Sequence, residues 1–238
     1  ILNVKRKKKP PLKLNIEHPI ISIIASGNSV NKLTDSDIDY IYSNTYTIGF
    51  NYAPCRFKKL NQVFYIDTRV KKYLDSIKGD LEKSNTKVTT PHNRKLLDVY
   101  EKKYISRPSG GDIVFMKYNL SITTLLRMLE MEFPNKKYVI FGLDLYADGD
   151  TLKWYDNYID ADLDRLGEKP NGMEYLSSGL RRHSHPERGY ENTAKELDKI
   201  IRGGIGPTKG NTFFNANLDS KYERFKKVDW KEFIETNR

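Results

Sequence analysis

The run Ile20-Ile21-Ser22-Ile23-Ile24-Ala25, broken at once by Ser26-Gly27-Asn28-Ser29, constrains the fold of this chain more than any other stretch. Five of its six positions are apolar, without alternation. Such a run, bounded by turn formers, reads as a strand buried on both faces, and strands of that kind belong to parallel sheets covered by helices on each side. A helix-like stretch begins near Leu33, so the strand delivers a small-residue loop to a helix start. In α/β proteins such loops hold phosphate, because unpaired backbone N–H groups and the helix dipole favour an anion there. The loop has neither the G-x-G-x-x-G spacing of dinucleotide binders nor the Gly-Lys-Ser/Thr of a P-loop. Its meaning therefore depends on the residues later in the chain.

Strand and helix signals alternate from there. Asp35-Ser36-Asp37 is read as the cap of a short helix through Tyr42, and Tyr46-Thr47-Ile48-Gly49-Phe50 as a second strand ending at Asn51. Gln62 to Ile66 reads as a third strand that ends at Asp67-Thr68-Arg69, with a helix over about 68 to 76. The polar stretch 78–110 carries a strand signal at Lys87-Val88-Thr89 and a helix signal from Arg94 to Tyr104. A long helix is expected from about Asp112 to Phe133, because Ile113, Met116, Leu120, Leu125 and Leu129 recur at helical spacing until Pro134-Asn135 stops them. Lys137 to Gly142 is the clearest later strand. A helix over about Tyr190 to Ile201, a strand at Thr212-Phe213-Phe214, and helices near 219–225 and 229–236 complete the reading. The fold class implied is α/β, Rossmann-like, with a mostly parallel sheet flanked by helices. Residues 147–185 are rich in Asp, Gly, Tyr and Arg without periodicity. A stretch of that length inside a compact domain reads as a lid, taken as about 147–188.

Composition narrows the partners. The 238 residues suffice for one domain, with residues 1–18 as a basic flexible arm and 19–238 as the domain itself. The net charge is +10, and Lys5-Arg6-Lys7-Lys8-Lys9 before Pro10-Pro11 concentrates part of it in a segment that cannot pack. An anionic surface or a nucleic acid is the partner that such an arm suits, although smaller basic clusters elsewhere are diluted by acids and also fit an ordinary solvated surface. The 16 Tyr against 10 Phe fit wet clefts as well as a core, and fit equally a genome whose codons favour Tyr, Lys, Asn and Ile. The single Cys55 excludes an intramolecular disulfide and a multi-cysteine metal site, and nothing near it in sequence supports a nucleophilic role. No apolar run approaches the roughly 20 residues of a membrane span, so the expectation is a soluble, cytoplasmic protein whose basic tract could still touch a membrane surface.

In a parallel sheet, ligands collect at the carboxyl ends of the strands. Four such ends carry polar residues: Ser26 to Ser29, Asn51, Asp67-Thr68-Arg69, and Asp144 with Tyr146. Taken singly, Asn51 need only shape a turn and Asp67 need only cap a helix. Taken together they would ring one crevice.

On these residues the chain resembles the bacterial sialyltransferases of glycosyltransferase family 42 and the related polysaccharide-synthesis and phage proteins. The similarity is spread over most of residues 20–225 and rests on short motifs in order. Ile23-Ile24-Ala25-Ser26-Gly27-Asn28-Ser29 looks like the family's nucleotide-binding loop, and Gly49-Phe50-Asn51 like its second strand end. Arg107-Pro108-Ser109-Gly110 resembles an Arg-x-(Thr)-Ser-Gly turn, one residue shorter here. The segment Gly142-Leu143-Asp144-Leu145-Tyr146, followed by Gly149 and Tyr155, is similar to a G-x-D-x-Y…G…Y segment. His183-Ser184-His185 resembles a lid with a catalytic histidine, and His185 fits its spacing better. The resemblance implies a nucleotide-sugar donor held by Asn28, Ser29, Asn51, Ser109, Gly110 and Asp144, with Asp67 as a further donor contact read from its place at the third strand end. It implies Tyr146 and Tyr155 at the leaving phosphate, Arg107 on the acceptor side, and His185 as base.

The chemistry of the residues is compatible with those roles. Sugar transfer needs a base for an acceptor hydroxyl, and a histidine titrating near 6.5 suits neutral pH. It also needs charge stabilisation on the leaving phosphate, which tyrosine hydroxyls can provide without a metal. No cofactor is then required beyond the donor as co-substrate, although Asp148-Gly149-Asp150 has D-x-D spacing and leaves a divalent ion open. One departure stands out: where the family has an Asn that helps bind the sialic acid carboxylate, this chain has Asp67. Two carboxylates repel, which favours a neutral sugar or a contact from Asp67 to sugar hydroxyls. The acceptor is expected to be a glycan, with hydroxymethylated DNA as the alternative that the +10 charge suits. A non-catalytic nucleic-acid or anionic-surface binder is the reading from another class, and self-association as a homo-oligomer stays open.

Overall fold

The computed structural model describes residues 17–65, 68–89, 122, 125, 126, 129, 136–145, 194, 195, 197, 198 and 213–238. Its centre is a seven-stranded sheet in the order β4-β3-β2-β1-β5-β6-β7, with every pair parallel. The strands are β1 Ile20–Ile24, β2 Tyr46–Phe50, β3 Gln62–Phe64, β4 Lys87–Thr89, β5 Lys137–Phe141, β6 Phe213–Asn215 and β7 Lys226–Lys227. The α/β, Rossmann-like fold class read from the sequence is the one observed. β1 is the middle strand, paired with β2 through Ile21↔Tyr46 to Ile24↔Gly49 and with β5 through Ile20↔Lys137 to Ile24↔Phe141.

Alternate residues of the central strands feed two cores. Ile20 and Ile24 of β1 pack with Val63, Val139 and Phe141 under α1 (Asp35–Asn44), α2 (Thr68–Ser76) and α4 (Trp230–Asn237). Ile21 and Ile23 face the opposite way, onto Ile48, Phe64, Tyr138 and Ile140, and are covered by the helical residues Leu125, Leu126, Leu129 and Leu197. All four β1 isoleucines are fully buried, and at roughly 1.5–3 kcal/mol for each such side chain, this strand is a large part of what holds the sheet together. A short helix α3 (Lys78–Lys83) buries only Leu81, too little for the sequence to signal it.

Boundaries move by one or two residues from the sequence reading. β1 ends at Ile24 rather than Ala25, β3 at Phe64 rather than Ile66, and β5 at Phe141 rather than Gly142. The cap of α1 is Thr34, not Asp35 to Asp37. Its hydroxyl accepts from Asp37 N–H and Asp37 returns a carboxylate to Thr34 N–H, a complete capping box, and the helix runs on to Asn44. No helix forms over 219–225. There Lys221 N–H donates to Asp144 O and Tyr222 N–H to Ser220 Oγ, so the amides that would start a helical ladder are spent elsewhere. Tyr222 and Phe225 go into the core against Phe213 and each other, and β7 follows as a seventh strand that the sequence did not signal. The basic arm (apart from its last residues, 17 and 18), the signal from Arg94 to Tyr104, most of the long helix and the lid lie outside the described residues. Among the described residues, no helix is long and apolar enough to cross a membrane.

The helices α1 and α4 meet at Asp37. Lys231 of α4 reaches its Oδ1 at 2.7 Å, so one carboxylate caps α1 and holds α4 to it. Burial pushes the Asp37 carboxyl up, but the hydrogen bonds from Lys231 and Thr34 outweigh it and hold it below the ordinary carboxylate range. A depressed carboxyl stabilises the fold above its unfolded-state pKa of about 3.9, and that contribution is lost as the pH falls through the lower folded value. Asp37→Asn should therefore lower stability at neutral pH and flatten its fall on the acid side, as read from urea midpoints at pH 7 and at acid pH. Thr34→Ala should cost about 1 kcal/mol at pH 7.

Candidate functional site

The chain builds β1 to β4 on one side of β1, then crosses to build β5 to β7 on the other. The order reverses between β1 and β5. In open parallel sheets the loops at that switch diverge and leave a crevice outside the strand ends. Here the loops are Ala25 to Ser29 after β1 and Gly142 to Leu145 after β5, with Asn51 beyond the end of β2.

The β1 and β5 loops are held together by one carboxylate. Asp144 is 2% exposed, and its Oδ2 accepts from Ser29 N–H at 2.8 Å. Its Oδ1 accepts from Ser29 Oγ at 2.5 Å and from Asn217 Nδ2 at 2.8 Å. The ladder between the two strands continues into the loops through Ala25 N–H to Phe141 O (2.8 Å) and Gly27 N–H to Gly142 O (2.9 Å). Gly27 is required by proximity rather than by backbone angle. A Cβ there would lie 2.4 Å from Gly142 O and 2.5 Å from Asp144 Oδ2. Gly142 is required on both counts: its φ is +76°, and a Cβ there would lie 2.7 Å from Val30 Cγ2.

Of the residues read from the sequence, Asn28, Ser29, Asn51 and Asp144 are placed at this edge. Ser29 gives its N–H and its hydroxyl hydrogen to Asp144, and Asp144 has both oxygens occupied, so the two are bound to one another. The helical turn that follows β1 is a 3-10 helix of five residues, Asn28–Lys32, and α1 begins only at Asp35. Arg56 anchors its far end through Nη1 to Val30 O at 3.0 Å and Nη2 to Leu33 O. Asn28 is half-buried, and its Oδ1 accepts from Asn31 Nδ2 at 2.5 Å.

Asn51 is the exceptional residue. Its φ is +48°, in the left-handed region, and its N–H donates to Phe64 O at 2.9 Å. Its Oδ1 is buried without a hydrogen-bond partner. Burying a polar atom unpaired costs about 1–3 kcal/mol, so this oxygen calls for a donor such as a water, an ion or a ligand group. The only other such atom among the described residues, Ser22 Oγ, lies mid-strand in β1, on the side of Ile20 and Ile24 and away from the crevice edge.

Asp67, Arg107, Ser109, Gly110, Tyr146, Tyr155, His183 and His185 lie outside the described residues, as do Asp148 and Asp150. Among the described residues, no group of three or more His, Cys, Asp or Glu is placed to hold a metal ion. The sequence reading missed the strap after β6. Asn215 Nδ2 donates to Leu143 O at 3.0 Å, and Ser220 Oγ donates to Leu143 O at 2.5 Å and lies 3.2 Å from Asp144 O. On the surface, Lys32 Nζ meets Asp219 at 3.3 Å, an exposed pair of the kind that contributes about 0–1 kcal/mol. The available signal was the density of Asn, Asp and Ser in Asn215-Ala216-Asn217-Leu218-Asp219-Ser220, directly after an apolar strand.

Comparison of the chain with family models, with curated proteins and with solved structures gives no match.

Two outcomes are expected from this geometry. Gly27→Ala should destabilise by at least about 1–3 kcal/mol, since the atoms it meets are a backbone carbonyl and a buried carboxylate, and chemical denaturation reads this directly. Cys55 is buried and its thiol is pushed up to about 12 by that burial, against the opposing pull of Lys58 and Arg56. It should react with a thiol reagent at pH 8 only as fast as the chain unfolds, with full reactivity in denaturant.

Proposed function

We propose that this protein is a nucleotide-sugar-dependent glycosyltransferase, with its donor in the crevice between β1, β2 and β5. The observation that carries the reading is Asn51. It is held in a left-handed conformation at a strand end beside the switch point, with a buried amide oxygen that a ribose, sugar or base donor would satisfy. Asn28 stands at the neighbouring strand end. The motif similarity to the sialyltransferase-like family supports the same assignment.

Asp144 modifies the expected division of labour. A carboxylate already takes the Ser29 N–H, and its charge disfavours a phosphate at that loop. The leaving phosphate is better met by Tyr146 and Tyr155, with Arg107 on the acceptor side, Ser109 and Gly110 holding the donor and Asp67 on its hydroxyls. In the reaction, His185 takes the proton from an acceptor hydroxyl as that oxygen bonds to the anomeric carbon. The bond from the anomeric carbon to the phosphate oxygen breaks, and its electron pair leaves with the nucleotide. Direct displacement inverts the anomeric centre.

The acceptor proposed is a glycan. The +10 net charge and the Lys5 to Lys9 tract favour a second reading, a polyanionic acceptor such as hydroxymethylated DNA. Phosphate contacts would make transfer to DNA fall steeply with salt, whereas transfer to a neutral glycan would change little.

Thermal stabilisation by CMP, UMP, UDP, GDP and ADP, with and without magnesium, tests the donor site. One nucleotide should raise Tm. Asn51→Gly should abolish that shift while keeping the fold, because glycine takes φ +48° without strain. His185→Ala should leave the shift intact and reduce turnover by about 100-fold or more, the order expected for loss of a general base. No shift with any nucleotide would overturn the proposal.

A further inference from the structure

We infer that Asn217, in the strap after β6, is a positioning residue for the crevice, and that it holds the Asn28–Ser29 loop through Asp144 without touching the ligand. As far as it concerns ligand affinity, the inference rests on reading the crevice as a nucleotide site.

Asn217 is 7% exposed, and its carboxamide has only one consistent orientation. Its Oδ1 accepts from Asp219 N–H at 3.1 Å, so its Nδ2 must be the atom that donates to Asp144 Oδ1 at 2.8 Å. Its own backbone is fixed by its N–H on Asn215 Oδ1 at 3.0 Å. The oxygen that receives Nδ2 is the same one that receives Ser29 Oγ, and the carboxylate's other oxygen receives Ser29 N–H. A carboxylate in that position can rotate about its side-chain bonds unless both oxygens are pinned. Ser29 supplies both of its bonds from the loop being positioned, so the bond from Asn217 is the described one that refers the carboxylate to a different element. With it, the loop after β1 is registered against β6. Without it, the carboxylate and the Asn28–Ser29 end of the loop, which lies beyond the last ladder bond at Gly27, can move together.

The test uses the full chain and four forms: wild type, Asn217→Ala, Asp144→Asn, and the double swap Asp144→Asn with Asn217→Asp. In the swap, a carboxamide at 144 still accepts from Ser29 N–H and donates to the carboxylate at 217, which still accepts from Asp219 N–H. Two readouts are followed. One is hydrogen exchange at the Ser29 amide relative to amides of the β1–β5 ladder, which needs no ligand. The other is the Kd of the nucleotide that stabilises the wild type.

Asn217→Ala should speed Ser29 exchange about tenfold or more with the β1–β5 amides unchanged, and weaken nucleotide binding by about tenfold, the effect of losing one hydrogen bond to a charged group. Asp144→Asn should do the same, and the swap should recover most of both losses, a coupling that a purely volumetric role would not produce. The inference is overturned if Asn217→Ala leaves Ser29 exchange unchanged. It is equally overturned if all amides speed up together, as in simple destabilisation, or if the swap is no better than the sum of its parts. Should the wild type bind none of the nucleotides, the donor-site reading fails, and Ser29 exchange alone still decides the positioning role.

Discussion

A carboxylate withdrawn from water needs donors, and the way Asp144 finds them shapes the whole carboxyl edge of the sheet. Its oxygens collect a backbone N–H, a hydroxyl and a carboxamide from two segments far apart in sequence. Charge-assisted bonds of this kind are each worth about 1.5–3 kcal/mol, and losing one partner would leave a buried charge short of donors. That asymmetry explains why neighbouring positions are so narrowly specified. Gly27 must be small because the carboxylate lies against it, and Gly142 must turn left-handed to bring it there.

The sheet was legible in the sequence because its signals are local. Ile20 to Ile24, Tyr46 to Phe50 and Lys137 to Phe141 are apolar runs closed by turn formers, and strands buried on both faces need only that. Where polar side chains decide the backbone, the reading failed. Residues 219–225 have helix-compatible composition, yet Ser220 and Lys221 bond backward to Leu143 and Asp144, which no sequence period encodes. β7 is two lysines long and exists because Phe225 is drawn into the core beside it.

The candidate site was legible in part for the same reason. Polar residues at strand ends can be read from a sequence, and Asn28, Ser29, Asn51 and Asp144 do stand at one edge. What each of them faces cannot be read. Ser29 and Asp144 are separated by 115 residues, and only the parallel pairing of β1 with β5 shows that they satisfy each other. Asn51 differs in kind, since its side-chain oxygen is buried with no protein donor. The distinction between a polar residue that serves the loop and one left for a ligand is one of hydrogen-bond accounting.

Backbone strain falls along the same edge. Three of the four described residues with positive φ, Asn51, Gly142 and Leu145, end β2 or follow β5, while Asn85 lies in the turn after α3. For a leucine the left-handed conformation costs about 1–2 kcal/mol and has no local compensation of the kind an asparagine can make. Leu145 is held there because the peptide preceding it is clamped: Asp144 O accepts Lys221 N–H at 3.0 Å and faces Ser220 Oγ at 3.2 Å. The strap after β6 thus fixes both the Asp144 side chain, through Asn217, and its main chain, through Ser220 and Lys221. The direction in which the chain leaves β5 is therefore set by β6, and so is the position of the loop after β1. A crevice whose two walls are referred to one strap can hold a rigid shape even though its loops carry strained residues.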